Sequence, residues 1–134
     1  MRFIPLLIAL VSVPAFAALP PQRPADLKKT ATHVVTGTVA AVYTTEAALD
    51  RPGMVNKLFA VEFAVTAVEK GEGLAEGKVV FAKCWKPAKR PTGFAGPQGQ
   101  NALPAVGETG RLYLKLQADG TYAVLTPNGW EIAR

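Results

Sequence analysis

One stretch of this chain gathers side chains able to hold a ligand. It begins Lys83-Cys84-Trp85-Lys86-Pro87-Ala88-Lys89-Arg90-Pro91-Thr92-Gly93-Phe94 and continues through Gln98 and Gln100 to Asn101. Four cations, Lys83, Lys86, Lys89 and Arg90, stand near two aromatics, Trp85 and Phe94. An aromatic face can stack on a base or sugar ring while neighbouring cations meet phosphate or carboxylate. The candidate ligand-binding residues are therefore Trp85, Lys86, Lys89, Arg90 and Phe94. A second role suits the same residues. Two large aromatics can plug one end of a small barrel while the cations simply stay solvated.

Catalysis asks for a converging set of polar groups, and the sequence offers little of the kind. His33 is the single histidine and sits just ahead of an apolar strand, which suits a structural role. Cys84 is the single cysteine. In an up-down-up meander His33 and Cys84 fall at opposite poles, so a Cys–His pair is not expected. No paired cysteines and no His-x-x-x-His spacing suggest a metal. Gly71-x-Gly73 lies between two strands rather than before a helix, so it is no phosphate loop. The expectation is a non-enzymatic protein with no catalytic residue, no metal and no cofactor.

These residues are carried by strands. Val34 to Tyr43 is rich in Val and Thr, with Gly37 as a bend or bulge. Thr44 to Asn56 reads as a loop around Arg51-Pro52-Gly53. In Lys57 to Glu69, Phe59, Val61, Phe63, Val65 and Ala67 share one face at period two. Lys78 to Trp85 is the third strand, with Val80, Ala82 and Cys84 on the core face. Pro87 to Pro104 is expected to be a long irregular connection. In Arg111 to Leu116, Leu112, Leu114 and Leu116 point inward and Arg111, Tyr113 and Lys115 outward. Asp119-Gly120 is a two-residue turn signal before a fifth strand, Thr121 to Leu125. The predicted fold is all-β: a five-stranded OB-fold-like Greek-key barrel with a short N-terminal helix or turn over Ala25 to Thr32. A sandwich is the competing architecture.

Three motifs resemble the netrin-module-like superfamily, which includes the tissue inhibitors of metalloproteinases. Val34-Val35-Thr36-Gly37-Thr38-Val39 is similar to its first strand with a central glycine. Phe63-Ala64-Val65-Thr66-Ala67-Val68-Glu69-Lys70-Gly71 is similar to its second strand and lysine-glycine ending. Val106-Gly107-Glu108-Thr109-Gly110-Arg111-Leu112-Tyr113-Leu114 is similar to the entry to its fourth strand. The resemblance implies an OB-fold barrel. Metalloproteinase inhibition in that superfamily resembles zinc chelation by an N-terminal cysteine. Ala18-Leu19-Pro20 stands at the expected mature start, so no inhibitory residue carries over.

Residues 1–17 have the layout of a secretory signal peptide: Arg2, an apolar run from Phe3 to Val13, then Pro14-Ala15-Phe16-Ala17. Cleavage is expected between Ala17 and Ala18, with residues 18–32 a lead-in and 33–134 the barrel domain. The protein is then expected to be secreted or periplasmic. A formal net charge of +5 favours anionic partners such as envelope polymers. Another exported protein is the other expected partner. Export argues against nucleic acid, and no membrane span is expected in the mature form. Three functions follow as expectations. The first is a binding module using Lys83–Asn101 for an anionic or ring-containing ligand. The others are an envelope assembly protein pairing through a strand edge, and a protease-inhibitor-like domain.

Overall fold

The structure is a computed structural model, and it describes residues 20–93 and 96–134. The expected signal peptide and the candidate residue Phe94 lie outside the described residues. Helix α1 (Pro24–Thr30) is followed by β1 (His33–Ala48), β2 (Val55–Lys70), β3 (Val79–Lys89), β4 (Thr109–Leu116), β5 (Tyr122–Val124) and β6 (Trp130–Ile132). The neighbours run β1-β2-β3-β5-β4, and β4 returns to β1. That closes a five-stranded barrel in the OB-like order. All pairs are antiparallel except β3 with β5. The short β6 extends the sheet along β4.

The closure depends on β1 serving two neighbours. Residues 33–38 pair with β4, while the whole strand pairs with β2. Register shifts at Val34/Val35, Thr36/Gly37 and Val39/Ala41 bend it between them. Gly37 allows the bend because its backbone is pressed against β2. A Cβ there would lie 2.9 Å from the Phe63 ring and closer still to the Ala64 carbonyl. Past Thr38, β1 leaves β4 and continues with β2 as a long hairpin.

The inward faces match the alternation read above except at strand ends, where Ala67 and Leu116, expected inward, are exposed, and Tyr113, expected outward, is buried beneath the helix. Phe59, Val61, Phe63 and Val65 meet Val80, Ala82, Cys84, Leu112, Leu114 and Val124 in one core. Trp130 completes it, edge-on to Phe63 with ring centroids 6.0 Å apart. Burying each large aliphatic or aromatic side chain contributes about 1.5–3 kcal/mol. A second cluster lies on the outside, where Leu27 and Ala31 cover Val34 and Tyr113, with Leu125 beside them. The helix is too short to persist alone. Pro24 opens it, Asp26 suits its first turn, and the Lys70 ammonium donates to the Lys28 carbonyl at 2.8 Å near its end.

One expected loop proves to be largely strand, and the other starts later than expected. The β1–β2 ladder reaches Ala48↔Val55, so only the tip of the predicted loop turns. β3 runs on to Lys89 through Pro87, and that end of β3 pairs with β2 alone. Proline lacks the N–H a two-sided ladder needs and is tolerated on such a free side.

Candidate functional site

The cations of the connection after Cys84 are mostly spent on the protein itself. The Lys86 ammonium donates to the Asn101 carbonyl at 2.9 Å, tying the end of the connection to its start. Arg90 donates to the Val55 carbonyl at 3.0 Å, to the Lys89 carbonyl at 2.8 Å and to the Asn56 side-chain oxygen. Its Nε is buried with no partner. Lys89 is exposed. Trp85 is half-buried and receives the returning chain, because the Gln100 N–H donates to its carbonyl at 2.9 Å. Gly99 sits on it at φ +67°, where a Cβ would lie 2.9 Å from the indole and closer to the Trp85 carbonyl. The Gln100 side chain is 1% exposed, and neither amide atom has a hydrogen-bond partner. The structure therefore uses Trp85 and Lys86 as a brace for the returning chain at Gly99 to Asn101, while Arg90 separately ties the chain after β3 to the start of β2.

An open groove lies beside this brace, across the outer face of the barrel. Its floor follows from the register. Tyr43 pairs with Ala60, Ala60 with Lys83, Lys83 with Ala123, and Ala123 with Lys115. One row thus crosses all five barrel strands, and its alternate small residues, Ala60 and Ala123, keep the floor low. Leu58 and Trp85 border it on the side toward the hairpin. The volume is about 580 Å³, within the range of small-molecule sites. Tyr43 is 55% exposed and Leu58 37%, so apolar surface is already presented to solvent.

Among the described residues the only charged side chains lining the groove are Lys83 and Lys115. Both are exposed, and neither is engaged in a hydrogen bond or ion pair. Lys83 lies in the field of Asp119, whose pKa is lowered mainly because its carboxylate accepts from the Thr121 hydroxyl at 2.6 Å and amide at 3.0 Å. Sequence reasoning reached Trp85 as a site residue and counted Lys83 only among the cations of the stretch, and it missed Tyr43, Leu58 and Lys115. The outward placement of Lys115 was legible. Its alignment with Lys83 depends on a pairing between strands distant in the chain.

The remaining polar groups are structural. Cys84 points into the core at 5% exposure, and burial pushes its thiol up to about 11. It is buried, as its face predicted. His33 is also buried, with Nε2 donating to the Glu72 carbonyl at 2.6 Å and Nδ1 2.9 Å from the Thr32 hydroxyl. Its ring meets Tyr122 edge-on with centroids 5.0 Å apart. Arg111 bridges Glu69 at 2.8 Å and Glu131 at 3.2 Å, and Tyr113 donates to Glu131 at 3.1 Å. Burial is the main cause of the raised Tyr113 pKa. No group of three or more His, Cys, Asp or Glu suited to a metal occurs among the described residues. No described helix is long and apolar enough to cross a membrane.

No known family, curated protein or solved structure matches the chain. On its own geometry it is a small mixed β-barrel with a short helix near the N-terminus.

Proposed function

We propose that this chain is an exported, non-enzymatic binding module whose ligand lies in the groove across the five strands. The observation that carries the reading is the row Tyr43–Ala60–Lys83–Ala123–Lys115, a low apolar floor with free cations toward one end. The start of the connection expected to bind, Lys83 to Trp85, belongs to this groove. Beyond it, Lys86 and Arg90 donate within the fold, to the Asn101 and Val55 carbonyls. Export rests on the layout of residues 1–17, and the compartment is the periplasm or the cell exterior. The likeness to the netrin-module superfamily remains a proposal. It is supported by the positions of its three motifs on β1, β2 and the entry to β4.

The test is a nuclear magnetic resonance titration of labelled protein. The panel is acidic oligosaccharides, single-stranded oligonucleotides and small amphiphiles, each at two salt concentrations. A binding module of this kind shifts the amides of Tyr43, Ala60, Lys83, Ala123 and Lys115 as one cluster. Shifts confined to residues 86–101, or no shifts with the whole panel, would sink the groove reading.

A strand-edge assembly role has one observation in its favour. Val79 and Phe81 are 51% and 53% exposed on β3, before the point where β5 joins it. Self-association that Phe81→Lys abolishes would support that reading.

A further inference from the structure

The distribution of charge in the groove narrows its ligand. Lys83 and Lys115 both flank Ala123 in the transverse row, one on each side. Strands lie about 4.8 Å apart, so the two lysines rise roughly 10 Å from each other over a residue with almost no side chain. Their flexible stems let both ammonium groups lean over Ala123. From there to Tyr43 the row carries no charge, only Ala60, with Leu58 and Trp85 alongside.

A polyanion fits this pattern poorly, because it carries a charge at every repeat and would lay several of them over apolar surface. Desolvating an unpaired charge is costly. A single anion at one end of an apolar body fits it throughout. We infer that the groove binds a fatty carboxylate, with its head between Lys83 and Lys115 and its chain over Ala60 toward Leu58 and Tyr43. The inference rests on the groove reading above. From Ala123, where the head lies, three steps of the row reach Tyr43 and span about 14 Å, room for an extended alkyl chain that passes the apolar stem of Lys83. Trp85 at the margin is an internal reporter, since Trp130 is buried in the core.

The experiment uses dodecanoate below its micellar concentration, with dodecyl maltoside as a neutral-headed control. Binding is followed by calorimetry and by quenching of tryptophan fluorescence with a chain-brominated dodecanoate. Dodecanoate is expected to bind at least tenfold more tightly than the maltoside. The double variant Lys83→Met and Lys115→Met keeps the apolar stems and removes both charges. It should lose that tenfold preference, read as the ratio of the two affinities measured on the same variant. Ala60→Trp should fill the floor and weaken both amphiphiles, with a thermal melt confirming the fold. Should that variant fail to fold, Leu58→Lys serves in its place.

Equal affinity for the two amphiphiles, or a preference that survives the double variant, would overturn the carboxylate assignment. So would groove-amide shifts with an oligonucleotide or acidic oligosaccharide but not with dodecanoate, a result that leaves the groove itself standing. If no probe moves the groove amides, both the groove and its ligand fall together.

Discussion

Two sets of cations, Lys86 on β3 with Arg90 just past its end and Lys83 on β3 with Lys115 on β4, meet opposite fates. Lys86 and Arg90 donate to backbone carbonyls and hold the Pro-rich connection against the barrel. Lys83, with Lys115 from β4, stands on a sheet face with no such acceptor. In sequence the first set looks the richer, because its charges are clustered. The structure teaches that clustering and availability are different properties. A lysine is available when its strand faces solvent beside small residues, and it is consumed when a chain returns past it with free carbonyls.

The contrast breaks most sharply at Gly99. Its positive φ and the Trp85 backbone beneath leave no room for a branched side chain. Gly99→Val should destabilise the protein by about 3–5 kcal/mol, read by urea denaturation, through strain added to overpacking. A near-neutral result would mean that the brace is dispensable.

Cys84, between Lys83 and Trp85 but facing inward, gives the next effect. Its thiol is held up to about 11 in the fold, against about 8.5 in an unfolded chain. Between those values the unfolded state has released a proton that the native state keeps. Stability therefore falls as pH rises from about 8.5 to 11, by on the order of 3 kcal/mol, and is fully present below that window. Cys84→Val should remove this component of the alkaline slope in a pH series of melts. An unchanged slope would show that the thiol reaches solvent through the groove.

Arg90→Met should cost about 1–2 kcal/mol, since the Asn56 side chain and Val55 carbonyl lose a charged donor. The smallest effect belongs to the groove. Lys83→Met with Lys115→Met should change stability by less than about 0.5 kcal/mol, as expected for exposed side chains with no hydrogen bond or ion pair. A larger loss in that variant would erase the distinction between the two sets.

Period-two alternation made the inner faces of β2, β3 and β4 readable, down to the inward thiol of Cys84. The hairpin beyond Tyr43 was not readable. There Thr44, Thr45 and Glu46 pair with Phe59, Leu58 and Lys57, of which only Phe59 enters the core, so no apolar rhythm on the β1 side marks a ladder that is nonetheless complete. Pro87 and its neighbours hid the end of β3 for a related reason, because an edge tolerates residues that argue against a strand. The groove depends on the parallel pairing of β3 with β5, which no local pattern encodes. The brace was obscured by its own donors. Side chains satisfied by distant carbonyls look in sequence like any other solvated charges.

That parallel pairing also bears on how the molecule assembles and breathes. β3 and β5 meet only at Ala82↔Tyr122 and Lys83↔Ala123, whereas β1, β2 and β3 are joined by long ladders between neighbours in sequence. The meander can form early from nearby segments, while the seam must await a long loop closure with little ladder to reward it. It should therefore be the last part of the barrel to close and the first to open. In native-state hydrogen exchange, the Ala123 and Val124 amides should exchange through a cheaper opening than those of Val61 and Phe63. Equal protection across both would show that the seam opens only with the whole fold. Because the same seam forms the floor of the groove, an occupant lying across it would act as a clasp, tying recognition to the rate at which the barrel comes undone.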